Sequence, residues 1–95
     1  MSITEKLSKK NNELQKKVIS EIEKVKVGQS KKNILQLQTI LNELQNSDKN
    51  MTLSYPRIII DSWDYSDQLG NELIELAELY KKIVMYNILH YKDIF

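Results

Sequence analysis

The stretch "YPRIIIDSWDYSDQLG" (residues 55–70) decides whether this chain folds from helices alone. It contains the only proline, the only tryptophan and a run of three isoleucines, which has strand propensity. A lone strand in a helical chain would leave its backbone hydrogen-bonding groups unpaired, which is costly. Proline suits the first position of a helix, and Ile59 and Trp63 would then share one face. We therefore predict a short helix over 56–65. Tyr55 should be extended before the proline, and the tryptophan should lie between the preceding hairpin and the last helix.

The residues before this stretch predict a helical hairpin. A helix over 3–26 is followed by Gly28, which can take the left-handed turn that closes a helix. Ser30 offers a side-chain oxygen to cap a second helix over 30–46, and the polar segment 46–54 indicates a loop. The short turn between the helices predicts antiparallel packing. The apolar stripe of the first helix steps by four, seven, four, four and three positions: Ile3, Leu7, Leu14, Val18, Ile22 and Val25.

The residues after the stretch predict a fourth helix. Ser66 is its expected cap, and Asp67 is favourable near the positive end of the helix. Gly70 has no side chain and would permit close approach of a neighbouring element. The last thirteen residues, 83–95, include nine apolar ones but show no single face, so they either pack on their own domain or bind a partner. The apolar face of this helix comprises Leu69, Leu73, Leu76, Tyr80 and Ile83.

Length and composition predict one small helical domain over residues 1–95. The absence of cysteine excludes a disulfide framework and fits a reducing compartment. No apolar run is long enough for a signal peptide or a membrane-spanning helix, so we expect a soluble, cytoplasmic protein. The net charge of +1 argues against a dedicated nucleic-acid partner.

Charge and aromatic residues are distributed unevenly. Residues 1–26 carry seven lysines and four glutamates, whereas Asp61 to Glu78 carries six acids and no base. Two solvated faces are the simpler expectation; the alternative is that the two segments lie together and attract weakly. All seven aromatic residues lie in 55–95, so the second half has the large side chains that dominate cores and interfaces.

The chemistry of the side chains argues against catalysis. His90 is the only histidine, and there is no cysteine to complete a metal site with it. Asp61, Asp64 and Asp67 are spaced by three, a pattern that can serve acid–base chemistry or hold a hard cation. Acids around a helix junction are more often solvated and placed by the helix dipole. We therefore expect no enzyme activity, no cofactor and no metal.

Four segments resemble the enterocin A immunity family, the immunity proteins of pediocin-like (class IIa) bacteriocins. The resemblance begins at "ILQLQTILNELQNS" (34–47), a leucine-rich helix that ends in a polar loop. "SYPRIII" (54–60) is similar to the proline and aliphatic run that opens the family's third helix. "DYSDQLGNELIELAELY" (64–80) and "YNILHY" (86–91) are similar to its fourth helix and to the aromatic tail of some members. The match, taken from residue 34 to residue 91, covers about two-thirds of the chain.

The resemblance implies an all-α antiparallel four-helix bundle with a short third helix and an apolar C-terminal tail. It also implies a non-catalytic protein in the cytoplasm of a Gram-positive cell. Such a protein protects the bacteriocin producer by acting with the receptor, the membrane part of the mannose phosphotransferase permease. We expect a monomer that makes at most peripheral contact with the membrane. Because family specificity lies towards the C-terminal half, the expected partner contacts are Tyr86, Leu89, Tyr91, Ile94 and Phe95, with Asp61 and Asp64 flanking them.

Two other functions remain open. An antitoxin or a phage-encoded inhibitor would bind a soluble basic partner through the acidic surface from Asp61 to Glu78. An oligomeric scaffold is the third reading, because the second helix has a short coiled-coil pattern, although it lasts barely two heptads.

Overall fold

The computed structural model describes the backbone of residues 3–47 and 52–94 and the side chains of 5–47 and 52–86. Within these ranges the chain is all-α and forms a four-helix bundle, which confirms the predicted fold class. The helices, in chain order, are α1 (Ile3–Lys26), α2 (Ile34–Gln45), α3 (Pro56–Ser62) and α4 (Gln68–Ile94). α1 packs against both α2 and α4, and α3 packs against α4.

The hairpin of α1 and α2 turns at Gly28, as the sequence predicts. Gly28 has a φ angle of 79°, in the left-handed region where a residue without Cβ is favoured. Its N–H donates to the carbonyl of Val25, and the N–H of Gln29 donates to the carbonyl of Lys24. These two bonds satisfy carbonyls that the end of α1 would otherwise leave unpaired.

The second helix begins four residues later than predicted, because Ser30 is not its cap. Asn33 caps α2 instead, and its side-chain oxygen accepts hydrogen bonds from the N–H groups of Leu35 and Gln36. The Ser30 hydroxyl is used elsewhere: it donates to Glu21 of α1. Its oxygen also accepts a hydrogen bond from the N–H of Lys32, so Ser30 caps the turn before α2 and not the helix itself.

The isoleucine run forms α3 and not a strand, with Pro56 in its first turn as predicted. The helix ends at Ser62, three residues earlier than expected. Tyr55 is not extended: its φ and ψ angles of −65° and −19° are helical. It is fully buried, and its hydroxyl donates to the carbonyl of Leu73 at 2.6 Å, so tertiary contacts override the local bias before proline.

The start of α4 also differs from the prediction in its cap. Asp67, and not Ser66, accepts the N–H of Gly70 through its side chain and the N–H of Asn71 through its carbonyl. The Ser66 hydroxyl donates to Asp64. A Cβ on Gly70 would lie 3.0 Å from Ile59 and 3.1 Å from the indole of Trp63, so the predicted close approach is confirmed.

The core runs along the centre of the bundle and includes most of the predicted stripes of α1 and α4. Val25, Leu69 and Ile83 are only partly buried, and the side chain of Ile3 lies outside the described residues. Each helix contributes, and so do two residues of the segment that leads into α3. The buried apolar side chains are Leu7, Leu14, Val18, Ile22, Leu37, Ile40, Leu44, Leu53, Tyr55, Ile59, Leu73, Leu76, Ala77 and Tyr80.

α4 lies antiparallel to α1. Tyr80 contacts Asn11, and Glu72 contacts Lys17, which fixes the register. α4 continues as a helix to Ile94, so most of the segment predicted as a tail extends this helix. Measured from the Asn11–Tyr80 contact at 1.5 Å per residue, α4 runs about 21 Å and α1 about 12 Å in the same direction.

Candidate functional site

The predicted contact residues lie at two ends of α4. Asp61 and Asp64 are exposed around the corner that joins α3 to α4, and Tyr86 is exposed near the other end. Tyr86 follows the first residue of α4 by eighteen positions, about 27 Å along the helix axis. The acids therefore do not flank Tyr86. The backbone of Leu89, Tyr91 and Ile94 is part of α4, whereas their side chains, like Phe95 as a whole, lie outside the described residues.

The C-terminal part of α4 differs from its first half in burial. Leu73, Leu76 and Tyr80 are buried in the core. Beyond Tyr80 no described side chain is buried: two are half-buried and the rest are exposed, including Met85 and Tyr86, which are 54% and 61% exposed. The helix thus continues about 9 Å past the level of Ile3, over residues 89–94, where apolar residues alternate with polar and charged ones.

Part of the acidic run from Asp61 to Glu78 forms ion pairs with lysines in the first half of the chain. Lys32 pairs with Asp67 at 2.7 Å, and Lys17 pairs with Glu72 at 2.7 Å. The predicted alternative, a weak attraction between residues 1–26 and the acidic segment, is present at the Lys17–Glu72 pair, whereas Lys32 lies beyond α1. Asp61 has only a long contact with Arg57, 3.8 Å, and both side chains are exposed. The charge that a partner can reach is therefore concentrated at Asp61 and Asp64 around the corner, and at exposed glutamates farther along α4.

Lys32 lies at the centre of a charged group that we call the Lys32 cluster: Glu21, Ser30, Lys32 and Asp67. The Lys32 ammonium is 3.1 Å from Glu21 and 2.7 Å from Asp67, and all three side chains are largely shielded. Partial burial alone would lower the pKa of Lys32, but hydrogen bonds to the two carboxylates outweigh it and raise that pKa. Burial raises the pKa of Glu21, but hydrogen bonds from Ser30 and Lys32 bring it below its ordinary value. Burial also raises the pKa of Asp67, but the Lys32 ammonium and the backbone N–H of Gly70 bring it below its ordinary value. The cluster connects the turn after α1 to the start of α4.

A cleft of about 410 Å³ lies beside this cluster, between the start of α2 and the α3–α4 corner. The half-buried indole of Trp63 lines it, and its N–H donates to the side chain of Gln36 at 3.2 Å. Trp63 thus lies between α2 and α4, as predicted. The Lys32 ammonium is 5.2 Å from the centre of the ring, within the range of a cation–π contact. Other polar residues around the cleft are Ser30, Asn33, Ser62, Asp64 and Asp67.

Tyr65 projects from the corner and is 92% exposed. The turn that contains Tyr65 is held by several hydrogen bonds. Asp64 accepts hydrogen bonds from the N–H and the hydroxyl of Ser66, which lower the pKa of its carboxyl group. The N–H of Asp67 donates to the carbonyl of Asp64, and the side chain of Asn71 donates to the carbonyl of Tyr65. A large aromatic side chain is therefore presented to solvent on an ordered turn.

A second polar group fixes α4 inside the bundle, and we call it the Asn11 network: Asn11, Gln15, Ser47, Tyr80 and the carbonyl of Leu44. The buried amide of Asn11 donates to Tyr80 at 2.7 Å, to Ser47 at 2.8 Å and to the Leu44 carbonyl at 3.2 Å. Its oxygen accepts from Gln15 at 2.6 Å. These bonds connect α1, the end of α2 and α4, and so position the C-terminal part of α4.

Two further findings concern metal and membrane. Over 5–47 and 52–86, no three side chains of the acidic, histidine or cysteine type are grouped as a metal site requires. No helix, in the part that the structure describes, has both the length and the apolar content to cross a membrane.

Comparisons with protein-family models, with curated proteins and with solved structures found no match for this chain.

Proposed function

We propose that this protein is a bacteriocin immunity protein that makes a cell resistant to a pediocin-like bacteriocin. In this proposal it is a non-catalytic, cytoplasmic monomer that acts on the receptor complex of the mannose phosphotransferase permease. Its main contact element is the C-terminal part of α4. Tyr86, Leu89, Tyr91, Ile94 and Phe95 are the proposed contacts on this side, and Asp61 and Asp64 are secondary contacts at the α3–α4 corner.

The observation that carries the proposal is the continuation of α4 beyond the core. The last buried side chain of the described helix is Tyr80, while the helix itself runs fourteen residues farther, to Ile94. Over residues 81–86 the side chains are exposed or half-buried, and such a segment gains little stability from being helical, because most helical stability comes from packing. Exposed Met85 and Tyr86 at the start of this extension are residue types that interfaces favour.

The bundle supports the proposal in a second way. Its antiparallel hairpin, its short proline-initiated α3 and its long α4 form the architecture that the resemblance implies. Many unrelated proteins share this architecture, so the fold alone does not identify a function. The proposal therefore depends on α4.

The test is protection of a living cell. The full chain is expressed in a strain sensitive to pediocin-like bacteriocins, which is then exposed to a panel of these peptides. We expect resistance to at least one of them. If carriers and empty-vector controls are killed equally by the whole panel, the proposal is wrong.

Variants then locate the contact. Tyr86→Ala should reduce protection, and a chain that stops before residue 86 should lose it while keeping its helical circular dichroism. Leu35→Ala is the matched control, because Leu35 is 69% exposed on α2 and should be replaceable without loss of protection. Unfolding of the truncated chain would instead assign the end of α4 to the core.

A soluble basic partner bound through the acidic surface is the second candidate. The exposure of Asp61 and Asp64 favours it, whereas the pairing of Asp67 and Glu72 with lysines weakens it. This candidate predicts a one-to-one complex that weakens as salt is added. Full protection by an Asp61→Asn, Asp64→Asn double variant would separate the immunity function from this surface.

A further inference from the structure

We propose that the α3–α4 corner is a docking site for a lysine- or arginine-bearing peptide segment of a partner protein. The site comprises the exposed ring of Tyr65, the carboxylates of Asp61 and Asp64, and the cleft beside Trp63. It lies at the opposite end of α4 from Tyr86, and it deepens the second candidate function above, in which Asp61 and Asp64 bind a basic partner.

Tyr65 is the first reason. A tyrosine that is 92% exposed contributes little to the core, and exposing its apolar ring to water is unfavourable. Tyrosine is among the residues most enriched at the centre of interfaces. The turn around Tyr65 is fixed by hydrogen bonds from Ser66 and Asn71, so a partner would not have to order it. Such preorganisation lowers the entropy cost of binding.

The cleft is the second reason. Its volume of about 410 Å³ lies within the usual range of ligand sites, and it is adjacent to the corner through Ser62, Trp63 and Asp64. Trp63 is the largest aromatic surface there and is only half-buried. A long side chain that enters the cleft would pack on the indole as it loses water.

Charge identifies the occupant. Lys32 and Asp67 lie in the cleft but neutralise each other at 2.7 Å. At the rim, Asp64 receives only neutral hydrogen bonds from Ser66, so its negative charge stays available. Asp61 adds a second carboxylate, whose 3.8 Å contact with Arg57 is exposed and easily exchanged. Lys31 also lines the cleft and is exposed, so it would repel a second cation there. A single cationic side chain near Asp64, flanked by apolar residues that reach Tyr65, fits this arrangement.

The molecule already contains one such contact. The Lys32 ammonium lies 5.2 Å from the centre of the Trp63 ring and pairs with Asp67. An aromatic ring beside a carboxylate is the pairing that attracts an ammonium or guanidinium group. Tyr65 and Asp64 are consecutive residues and both are exposed, so the corner offers the same two kinds of group to a cation that a partner supplies.

The experiment uses the full chain labelled with ¹⁵N and a blocked synthetic peptide of alternating lysine and leucine pairs. The same peptide with glutamine in place of lysine is the control probe. We expect the lysine peptide to shift the amide signals of 61–67 and the indole N–H of Trp63, which is unambiguous because the chain has one tryptophan. Raising the salt from about 50 mM to about 500 mM should weaken this binding.

Variants decide whether the corner is responsible. Tyr65→Ala combined with Asp64→Asn should weaken binding of the lysine peptide about tenfold, the effect expected of central contacts. The matched control combines Ile19→Ala with Glu75→Gln, an exposed apolar residue on α1 and an exposed acid on α4, and should bind as the parent does. Equal binding of the glutamine peptide would overturn the proposal. So would signals that move elsewhere on α4, or an unchanged affinity in the corner variant.

Discussion

The Asn11 network and the Lys32 cluster both connect the α1–α2 hairpin to α4 or its first turn, and they differ in charge and burial. The Asn11 network is neutral, and its central amide is 5% exposed. The Lys32 cluster is ionic and lies at the edge of the bundle, next to the cleft of Trp63. Since buried neutral bonds cannot be replaced by water, the network should dominate stability. The cluster sets the position of the α3–α4 corner and should respond to pH and salt.

The two ends of α4 therefore differ in the kind of contact that holds them to the rest of the bundle. The Asn11 network lies where α4 leaves the core, just before Met85 and Tyr86. The Lys32 cluster lies at its start, beside Asp64 and Tyr65. The proposed immunity contact therefore projects from a rigid, buried anchor. The proposed docking site for a cationic peptide is adjacent to the Lys32 cluster, whose strength depends on pH and salt.

The largest effect is expected from Asn11→Leu. This change removes the amide at the centre of the network and leaves Tyr80, Ser47 and the Leu44 carbonyl without one of their partners. We expect the free energy of unfolding to fall by about 1–3 kcal/mol. Chemical denaturation followed by circular dichroism measures this loss.

Asn12→Leu is the matched control, because Asn12 is the next residue on α1 and is exposed. It should change stability by less than about 0.5 kcal/mol. Adding Tyr80→Phe to Asn11→Leu should recover part of the loss, since a pair of polar partners is then removed together. Equal stability of the Asn11 and Asn12 variants would show that the network is not the stronger anchor.

The same two groups show what can be predicted from sequence. α1, the turn at Gly28 and the start of α3 at Pro56 follow from local rules, and the structure has them where predicted. The caps did not follow, because Ser30 and Ser66 satisfy the local rule as well as Asn33 and Asp67 do. The choice depends on contacts outside the local rule: Ser30 bonds to Glu21 and to the N–H of Lys32, and Ser66 bonds to Asp64.

Asn11 shows the limit most clearly. The apolar stripe of α1 steps by seven positions from Leu7 to Leu14, and Asn11 lies between them on the same face. This break in the stripe was the available signal for a buried polar residue. Its partners Leu44, Ser47 and Tyr80 are 33 to 69 positions away, so only the folded chain reveals them.

The candidate site was predicted unevenly. The exposure of Asp61 and Asp64 follows from their place at a helix junction. Their distance from Tyr86 depends on α4 being a single helix from Gln68 to Ile94, which its apolar end did not reveal because it has no single face. The exposure of Tyr65 could not be predicted, because no local pattern distinguishes a projecting tyrosine from a packed one.

The second prediction concerns Lys32→Met, which keeps the aliphatic packing and removes the charge. We expect a loss of about 1 kcal/mol near neutral pH, because a partly shielded ion cluster contributes more than an exposed pair. Lys31→Met is the matched control and should be nearly neutral, since Lys31 is exposed. Thermal unfolding at low and high salt gives both values, and salt should reduce the loss at Lys32.

The pH dependence of this loss has a definite sign. The pKa of Lys32 is raised by folding, so its contribution is present below the usual lysine pKa and disappears as the pH rises through the raised value. The pKa values of Glu21 and Asp67 are lowered, so their contribution is present above the usual carboxyl range and disappears as the pH falls through the lowered values. The difference between parent and variant should be largest from about pH 5 to about pH 10. A pH-independent difference would contradict the ionic origin.

The smallest effect is expected from Lys17→Gln. Its ammonium is 2.7 Å from Glu72, as close as Lys32 is to Asp67, but the two side chains are 54% and 29% exposed. Water screens this pair, so we expect less than about 0.5 kcal/mol of lost stability. Lys16→Gln, at the exposed neighbouring residue, is the control. The pair should still be visible in the pKa of Glu72, which the hydrogen bond from Lys17 lowers and which should rise in the variant. Carboxyl chemical shifts measured during an acid titration report that change. A loss as large as that of Lys32→Met would mean that burial does not distinguish the two ion pairs of α4.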